Sequence, residues 1–131
     1  HLALRERGHL YSKMKRYEES VADFQRALEL DDSAAYDWHS LAWSFYKLGR
    51  YNEALPAIDR AVQIDPAPAI VGTKGEIFNR MGRYAEALDW LDRALARDPY
   101  DKEHLRERVV ALRGLGRLAE ADEAEAQIVG E

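Results

Sequence analysis

The chain has 131 residues, of which 47% are hydrophobic and 33% charged, and its formal net charge is −5. This balance fits one folded domain and excludes the low hydrophobicity of a disordered chain. There is no cysteine for a disulfide or a thiolate metal site and no apolar run long enough to cross a membrane. The first residues of the given sequence do not show the pattern of a signal peptide, and the negative charge disfavours nucleic acid. We expect neither a membrane nor a nucleic-acid partner, and the compartment stays open, with a soluble, cytoplasmic chain as the default.

The first helical face is already in phase at Leu4, although the chain begins at His1. We therefore expect this sequence to be a fragment of a longer protein. From this point a repeat of 34 residues, with one step of 33, runs to the end of the chain. The turns within the repeats read Lys15-Arg16-Tyr17, Gly49-Arg50-Tyr51, Gly82-Arg83-Tyr84 and Gly116-Arg117-Leu118.

Each repeat carries two apolar faces at the spacing of an α-helix. The columns before the turn are Leu4, Trp38, Val71 and Leu105; Gly8, Ala42, Gly75 and Val109; and Tyr11, Phe45, Phe78 and Leu112. The columns after it are Ser20, Ala54, Ala87 and Ala121; Phe24, Ile58, Leu91 and Glu125; and Ala27, Ala61, Ala94 and Ile128. This pattern predicts two antiparallel amphipathic helices per repeat, with small residues where the backbones approach closely.

The ends of the helices are also predicted. Glycines at 49, 82 and 116 favour the left-handed conformation that closes a first helix. Asp65-Pro66 and Asp98-Pro99 end the second helices, because proline cannot continue a helix. Pro56 falls inside a second helix, where it would cost little if Asn52 capped that helix.

This succession of bulky, small and aromatic columns resembles the tetratricopeptide repeat (TPR) family. Residues 35–66 match nearly every column of that family, whereas the first repeat has Asp32 in place of proline and the third has Lys74 in an apolar place. The fourth departs furthest and is interpreted as a solvating end cap. The resemblance implies an all-α fold, a right-handed α-solenoid of antiparallel helix pairs (a TPR superhelix). It also implies a single domain over 1–131, with repeats of about 1–34, 35–67, 68–101 and 102–131.

Such a solenoid presents a concave groove lined by its first helices. The outward positions of those helices supply the candidate binding residues, which are Arg5, His9, Lys13, Tyr36, His39, Trp43, Tyr46, Lys47, Asn79 and Arg80. Trp43 is the sharpest of them, because the repeat does not require an aromatic there and aromatic side chains make good anchors. The alternative that Trp43 packs against a neighbouring repeat stays open. Trp38 occupies a packing column, and Trp90 is expected in packing or on the convex surface.

Charge suggests which partner the groove prefers. Its outward positions carry six basic residues, Arg5, Lys13, Lys47, Arg80, Arg106 and Arg113, and four acidic ones, Glu6, Glu76, Glu103 and Glu107. Since the whole chain is acidic, the groove is predicted to differ from the back and to attract an acidic segment or a free C-terminal carboxylate. The carboxylate clamp known in chaperone-tail receptors of this family is not present, because its places hold Arg5, His9, Ser40, Ala69 and Thr73 and only Arg5 keeps the charge.

No catalytic, metal or cofactor site is expected. The sequence has no nucleophile paired with a base and no glycine-rich phosphate loop, and His9 and His39 lack a third metal ligand. We therefore predict a protein–protein interaction module, not an enzyme, that binds a peptide or helical segment of a partner. The alternative is a structural spacer or a self-association module of a larger protein, with a possible homo-oligomer through its N-terminal end.

Overall fold

The computed structural model of the chain describes residues 2–130, which form eight α-helices and no strand. The helices are α1 (Leu2–Lys13), α2 (Tyr17–Leu30), α3 (Ala35–Lys47), α4 (Tyr51–Ile64), α5 (Pro68–Arg80), α6 (Tyr84–Arg97), α7 (Lys102–Gly114) and α8 (Leu118–Val129). The prediction of an all-α chain built from helix pairs is confirmed.

The chain divides into two compact units, unit 1 (His1–Pro66) and unit 2 (Ala67–Glu131). In unit 1, α1 pairs with α2 and α3 with α4, and α2 also packs against α3. In unit 2, α5 pairs with α6 and α7 with α8, and α6 packs against α7. Each unit is thus two hairpins joined through the second helix of the first hairpin. The single domain over residues 1–131 stays a prediction.

Each unit has its own apolar core, built from the predicted columns. Phe24 and Ile58 are fully buried in unit 1, as are Leu91 and Leu112 in unit 2. Burying one such side chain contributes about 2 kcal/mol. The small residues of the first helices make room for these side chains: a Cβ added at Gly8 would lie 2.9 Å from the Phe24 ring. Close packing of the hairpins therefore depends on both columns.

The turns within the repeats have the left-handed glycine conformation that the sequence predicts. Gly49, Gly82 and Gly116 have φ angles of +76°, +75° and +76°. After Gly49, the amide of Arg50 donates to the carbonyl of Phe45 at 2.9 Å, a bond that closes the carboxyl end of the helix. The first repeat makes the same turn with Lys15, whose φ is +61°. Lys15 thus adopts a conformation that is favourable for glycine and strained for a residue with a side chain.

A salt bridge recurs at the start of every second helix, and we call it the Arg–Glu clasp. The residue that caps the helix is an arginine, and its guanidinium binds the glutamate three residues later. The pairs are Arg16–Glu19, Arg50–Glu53, Arg83–Glu86 and Arg117–Glu120. The glutamate also lies in the first turn, where the helix dipole favours a negative charge. The hydrogen bond from Arg50 lowers the pKa of Glu53 accordingly.

Pro56 lies inside α4, which nevertheless runs from Tyr51 to Ile64. The cap of α4 is Arg50, so the condition considered for Pro56, a cap at Asn52, is not met. The reason is the preceding turn, which places the first helical residue at Tyr51 and leaves Asn52 within the first turn. Proline at position 56 removes one backbone donor early in the helix.

Candidate functional site

Eight of the ten predicted binding residues lie on the two first helices of unit 1. Arg5, His9 and Lys13 are on α1, and Tyr36, His39, Trp43, Tyr46 and Lys47 are on α3. We call this surface the first-helix face of unit 1. Two side-chain pairs join α1 to α3 across it, so the residues of the two helices share one surface.

The first pair neutralises Arg5. Its Nε donates to Oδ1 of Asp37 at 2.6 Å and its Nη2 donates to Oδ2 at 2.9 Å. Asp37 is only 2% exposed, and the hydrogen bonds that Arg5 donates to its carboxylate raise the pKa of Arg5. The sequence analysis missed Asp37, although an acid stands out in a repeat column that otherwise holds Ala3, Ile70 and His104. The one charge that matched the carboxylate clamp is therefore bound by the chain itself.

The second pair joins His9 to Tyr36. The Tyr36 hydroxyl and His9 Nδ1 are 3.1 Å apart, within hydrogen-bond distance. The Tyr36 ring also meets the buried Phe24 ring edge-on, with centroids 6.3 Å apart. These contacts fix an exposed tyrosine on the face without burying its outer edge, so Tyr36 remains able to contact a ligand.

The aromatic part of the face lies at the carboxyl end of α3. Trp43 and Tyr46 stack with ring centroids 5.2 Å apart and planes inclined by 26°. The Lys47 ammonium lies 4.8 Å from the Trp43 ring centroid, a cation–π distance. The spacing of three and four residues along one helix brings these side chains together. Trp43 is half-buried in this stack, and its role as a ligand anchor stays a prediction.

Ion pairs within the chain neutralise most cations on the first helices of both units. The pairs are Arg5–Asp37, Arg80–Glu107, Arg106–Glu103 and Arg113–Glu125. Lys13 and Lys47 are different, since within residues 2–130 neither forms a salt bridge with an acidic side chain. Each is the last residue of its helix, α1 or α3. The uncompensated positive charge of the candidate site is therefore at one end of the first-helix face of unit 1.

His39 lies between the two parts of this face and is half-buried. Burial disfavours the charged imidazolium and lowers the pKa of His39. Its side chain is consequently neutral at pH 7. The face thus combines a neutral histidine, aromatic rings and two lysines.

The two predicted residues of unit 2 bind the same glutamate. Asn79 is 3% exposed, and its Nδ2 donates to the carbonyl oxygen of Glu107 at 2.9 Å and to its Oε1 at 3.0 Å. Arg80 Nη2 donates to Glu107 Oε2 at 2.8 Å. The hydrogen-bond donors of Asn79 and Arg80 are therefore bound to Glu107 within unit 2. Their role in partner binding stays a prediction.

Two further places in unit 2 have close side-chain packing. A Cβ added at Gly72 would lie 2.0 Å from Nε2 of the buried His104, so the glycine makes room for this imidazole. Trp90 lies between two cations, with Lys74 Nζ 4.1 Å and Arg93 Cζ 4.4 Å from its ring centroid. Trp90 is therefore held by residues of its own unit.

Within residues 2–130, no three or more His, Asp or Glu side chains are grouped so that they could hold a metal ion. No helix in the same range combines the length and the apolarity that crossing a membrane requires.

Comparison with known proteins identifies the repeat. Two family profiles, both described as tetratricopeptide repeat, match the chain, one over residues 39–102 and 74–130 and the other over 1–67. A TPR repeat-containing protein of Methanocaldococcus jannaschii is 37% identical over 51 residues, which are 39% of this chain and 9% of that protein. The chain thus spans a small part of this curated relative.

Solved structures give the same result for the fold. The structure of MamA protein is similar with a TM-score of 0.88 and 16% identity, over 97% of this chain and 70% of that chain. The first TPR of Spaghetti (RPAP3), bound to the HSP90 peptide SRMEEVD, has a TM-score of 0.82 and 20% identity, over 88% of this chain and 94% of that chain. These likenesses confirm the predicted fold class, an all-α helical repeat of the solenoid type.

Proposed function

This chain belongs to the tetratricopeptide repeat family, and on that premise we propose that it is a protein-interaction module that binds a peptide or helical segment of a partner protein. The proposed binding surface is the first-helix face of unit 1. A structurally similar TPR of RPAP3 holds an HSP90 peptide that ends in Glu-Glu-Val-Asp, which makes peptide binding a reasonable use of this fold. The proposed function is binding and includes no catalysed reaction.

The observation that carries the proposal is the Trp43–Tyr46 stack with Lys47 beside it. An aromatic pair offers a large, stiff apolar surface that loses little conformational entropy when a ligand covers it. Lys47 adds a positive charge that no acid of residues 2–130 neutralises. An acidic peptide can place aliphatic carbons on the rings and a carboxylate on the ammonium. No other part of the first-helix face of unit 1 combines stacked rings with such a lysine among the described residues.

Lys13 and His9 extend the proposed site along α1. Lys13 is the second lysine of this face that forms no salt bridge with the residues that the structure describes, and it favours a ligand with a second carboxylate, either an acidic side chain or a free C-terminus. The electrostatic part of the affinity comes from exposed groups and falls as salt is added. The partner preference is therefore for acidic segments, with the aromatic stack as the anchor.

The test is selection of peptides with free carboxyl ends from a random library on the intact chain, followed by titration of the selected peptides. We expect enrichment of acidic sequences and a Kd that Trp43→Ala raises about tenfold, since loss of an anchor costs more than about 1 kcal/mol. Val110→Ala is the matched control, because Val110 is the exposed residue at the same repeat position in unit 2. No enrichment, or equal affinity of Trp43→Ala and parent, would contradict the proposal.

A second candidate function is self-association through the outer face of α1. Leu10 is 56% exposed, whereas Ser44 and Ala111, at the same repeat position, are 0% exposed beneath α2 and α6. The first helix therefore presents a surface that the repeat elsewhere covers with another helix, and a second copy of the chain can cover it.

Sedimentation over a range of concentrations tests this second candidate. We expect the parent to form dimers as concentration rises and Leu10→Ser to remain monomeric. Leu30→Ser, at an exposed leucine of α2, is the control and should behave like the parent. A parent that stays monomeric throughout would rule out self-association and leave the peptide-binding proposal untouched.

A further inference from the structure

A second candidate binding surface lies between α2 and α3, away from the proposed peptide-binding residues. An open pocket of about 540 Å³ is bounded by the carboxyl-terminal half of α2, the loop after it and α3. We call it the α2–α3 pocket. Its lining residues are Gln25, Leu28, Glu29, Asp32, Trp38 and Leu41.

The floor and one wall of the pocket are apolar and fixed. Leu28 and Leu41 are buried and form the floor. The Trp38 indole is anchored by its Nε1, which donates to the carbonyl oxygen of Asp32 at 2.9 Å. The Arg60 guanidinium, 5.4 Å from the ring centroid, further restricts this ring. A preformed apolar surface of this kind binds a ligand without first having to become ordered.

The equivalent place in unit 2 is spanned by an ion pair. Gln25 and Leu41 correspond to Asp92 and Arg108, each 67 positions later in the repeat. Arg108 Nε donates to Asp92 Oδ1 at 2.8 Å and so bridges α7 and α6. Glutamine and leucine cannot form that bridge in unit 1. The α2–α3 pocket therefore lies where unit 2 holds the Arg108–Asp92 ion pair.

Charge at the rim of the pocket is predominantly acidic. Asp32 is exposed and forms no salt bridge within residues 2–130, while the Glu29 carboxylate accepts from Arg26 at 2.9 Å. Asp31, next to the pocket, accepts hydrogen bonds from Ser33, which lower its pKa. Three nearby cations are already engaged: Arg26 pairs with Glu29, Arg60 lies over the Trp38 ring, and Arg5, which acts on Asp31, binds Asp37. The rim thus offers the carboxylate of Asp32 to a cationic ligand.

We propose that the α2–α3 pocket binds a basic, leucine-bearing segment of a partner protein. A leucine of that segment packs on Leu28, Leu41 and the Trp38 ring. A neighbouring arginine or lysine lays its aliphatic stem along the floor and its charge against Asp32, much as Arg108 occupies the equivalent place in unit 2. This site prefers the opposite charge to the first-helix face of unit 1, so its occupant is a different segment.

The three tryptophan indoles of the chain provide the test. The intact ¹⁵N-labelled chain is titrated with acetyl-Leu-Arg-Leu-Arg-amide and, separately, with acetyl-Leu-Glu-Leu-Glu-amide, while the indole N–H resonances are followed by NMR. We expect the basic peptide to shift the Trp38 resonance saturably and more than those of Trp43 and Trp90. The acidic peptide should leave Trp38 unmoved. An unmoved Trp38 resonance with the basic peptide, or equal shifts with both peptides, would overturn the proposal.

Two variants sharpen the test. Asp32→Asn removes the rim charge from an exposed residue and should weaken the basic peptide about threefold to tenfold, a typical effect of one charge-assisted contact. The double variant Gln25→Asp with Leu41→Arg installs the bridge of unit 2 and should abolish binding. Trp43→Ala should bind the basic peptide like the parent, which separates this site from the first-helix face. Unchanged affinity of Asp32→Asn would overturn the proposal even if the double variant failed to fold.

Discussion

Units 1 and 2 use one helical framework with different side chains at equivalent positions, 67 residues apart. Arg5 and Asp37 form an ion pair in unit 1. The same two positions in unit 2 hold Gly72 and His104, and the His104 imidazole occupies the space that a side chain at position 72 would need. Both pairs join the two first helices of their unit. The comparison shows that the framework specifies a contact at this place but not its chemistry.

The positions facing outward differ more. Arg80 in unit 2 is neutralised by Glu107, whereas its equivalent in unit 1, Lys13, has Ser40 where that acid would be. Likewise the aromatic stack of unit 1 corresponds to Val110 and to Arg113, which pairs with Glu125. At these positions unit 2 pairs its cations internally, whereas unit 1 presents aromatic rings and ammonium groups. This division is why we place the binding site in unit 1.

The largest expected effect comes from breaking the glycine–histidine contact of unit 2. Gly72→Ala would put a methyl group 2.0 Å from His104 Nε2, inside a buried region where the imidazole has little room to move. Overpacking of this kind costs about 1–3 kcal/mol. We expect the free energy of unfolding, measured with urea, to fall by about 2 kcal/mol.

The control for this prediction is the same substitution without the histidine. In a His104→Ala background the methyl group has space, and alanine is the better helix former by about 1 kcal/mol. Gly72→Ala should then be neutral or stabilising. An equal loss of stability in both backgrounds would show that the contact with His104 is not the reason for the glycine.

A smaller effect is expected when unit 1 is made to resemble unit 2. Ser40→Glu supplies Lys13 with the acid that Arg80 has in Glu107, and should weaken acidic peptides about fivefold, or about 1 kcal/mol. Stability should stay within about 0.5 kcal/mol, since Ser40 is only half-buried and exposed ion pairs contribute little. Titration at low and high salt should show the difference fading as salt rises. Unchanged affinity at low salt would remove Lys13 from the site.

The smallest effect, that of Lys15→Gly, concerns the turn in which the units differ. Lys15 has the left-handed conformation that Gly82, its equivalent in unit 2, adopts without strain. Lys15→Gly should raise the free energy of unfolding by about 0.5 kcal/mol, because relief of strain slightly exceeds the added freedom of the unfolded chain. Gly82→Ala should lower it by about 1 kcal/mol. A thermal denaturation series that showed destabilisation by Lys15→Gly would contradict this account of the turn.

The fold could be predicted from the sequence because its determinants are local and repeated. Gly49 follows the end of α3 and Asp65-Pro66 follows α4, as the turn chemistry requires, and most residues of the small and bulky columns are buried. Each of these signals acts within a few residues, and four copies reinforce one another. The cap of α4 at Arg50 was harder to predict, because asparagine is a common capping residue and arginine is not.

The candidate site was less predictable, because its properties depend on pairs of side chains from different repeats. Outward positions were identified correctly for Tyr36 and Lys47, whose exposure follows from helical periodicity. Sequence reasoning did not reveal that Arg5 meets Asp37 or that Asn79 meets Glu107. Residues 32 and 28 positions apart are brought together by the stacking of hairpins. Charge counting therefore overestimated the cations available to a partner.

The Arg–Glu clasp has a consequence for how the chain folds. Each clasp joins residues three positions apart and lies beside a turn whose hydrogen bonds also join residues close in sequence. The interactions that form each hairpin are therefore local. Chains dominated by such short-range encounters reach the native state rapidly, in microseconds to milliseconds. We expect nucleation to start at whichever hairpin closes first and to spread to its neighbour within the unit, with no obligatory order along the polypeptide.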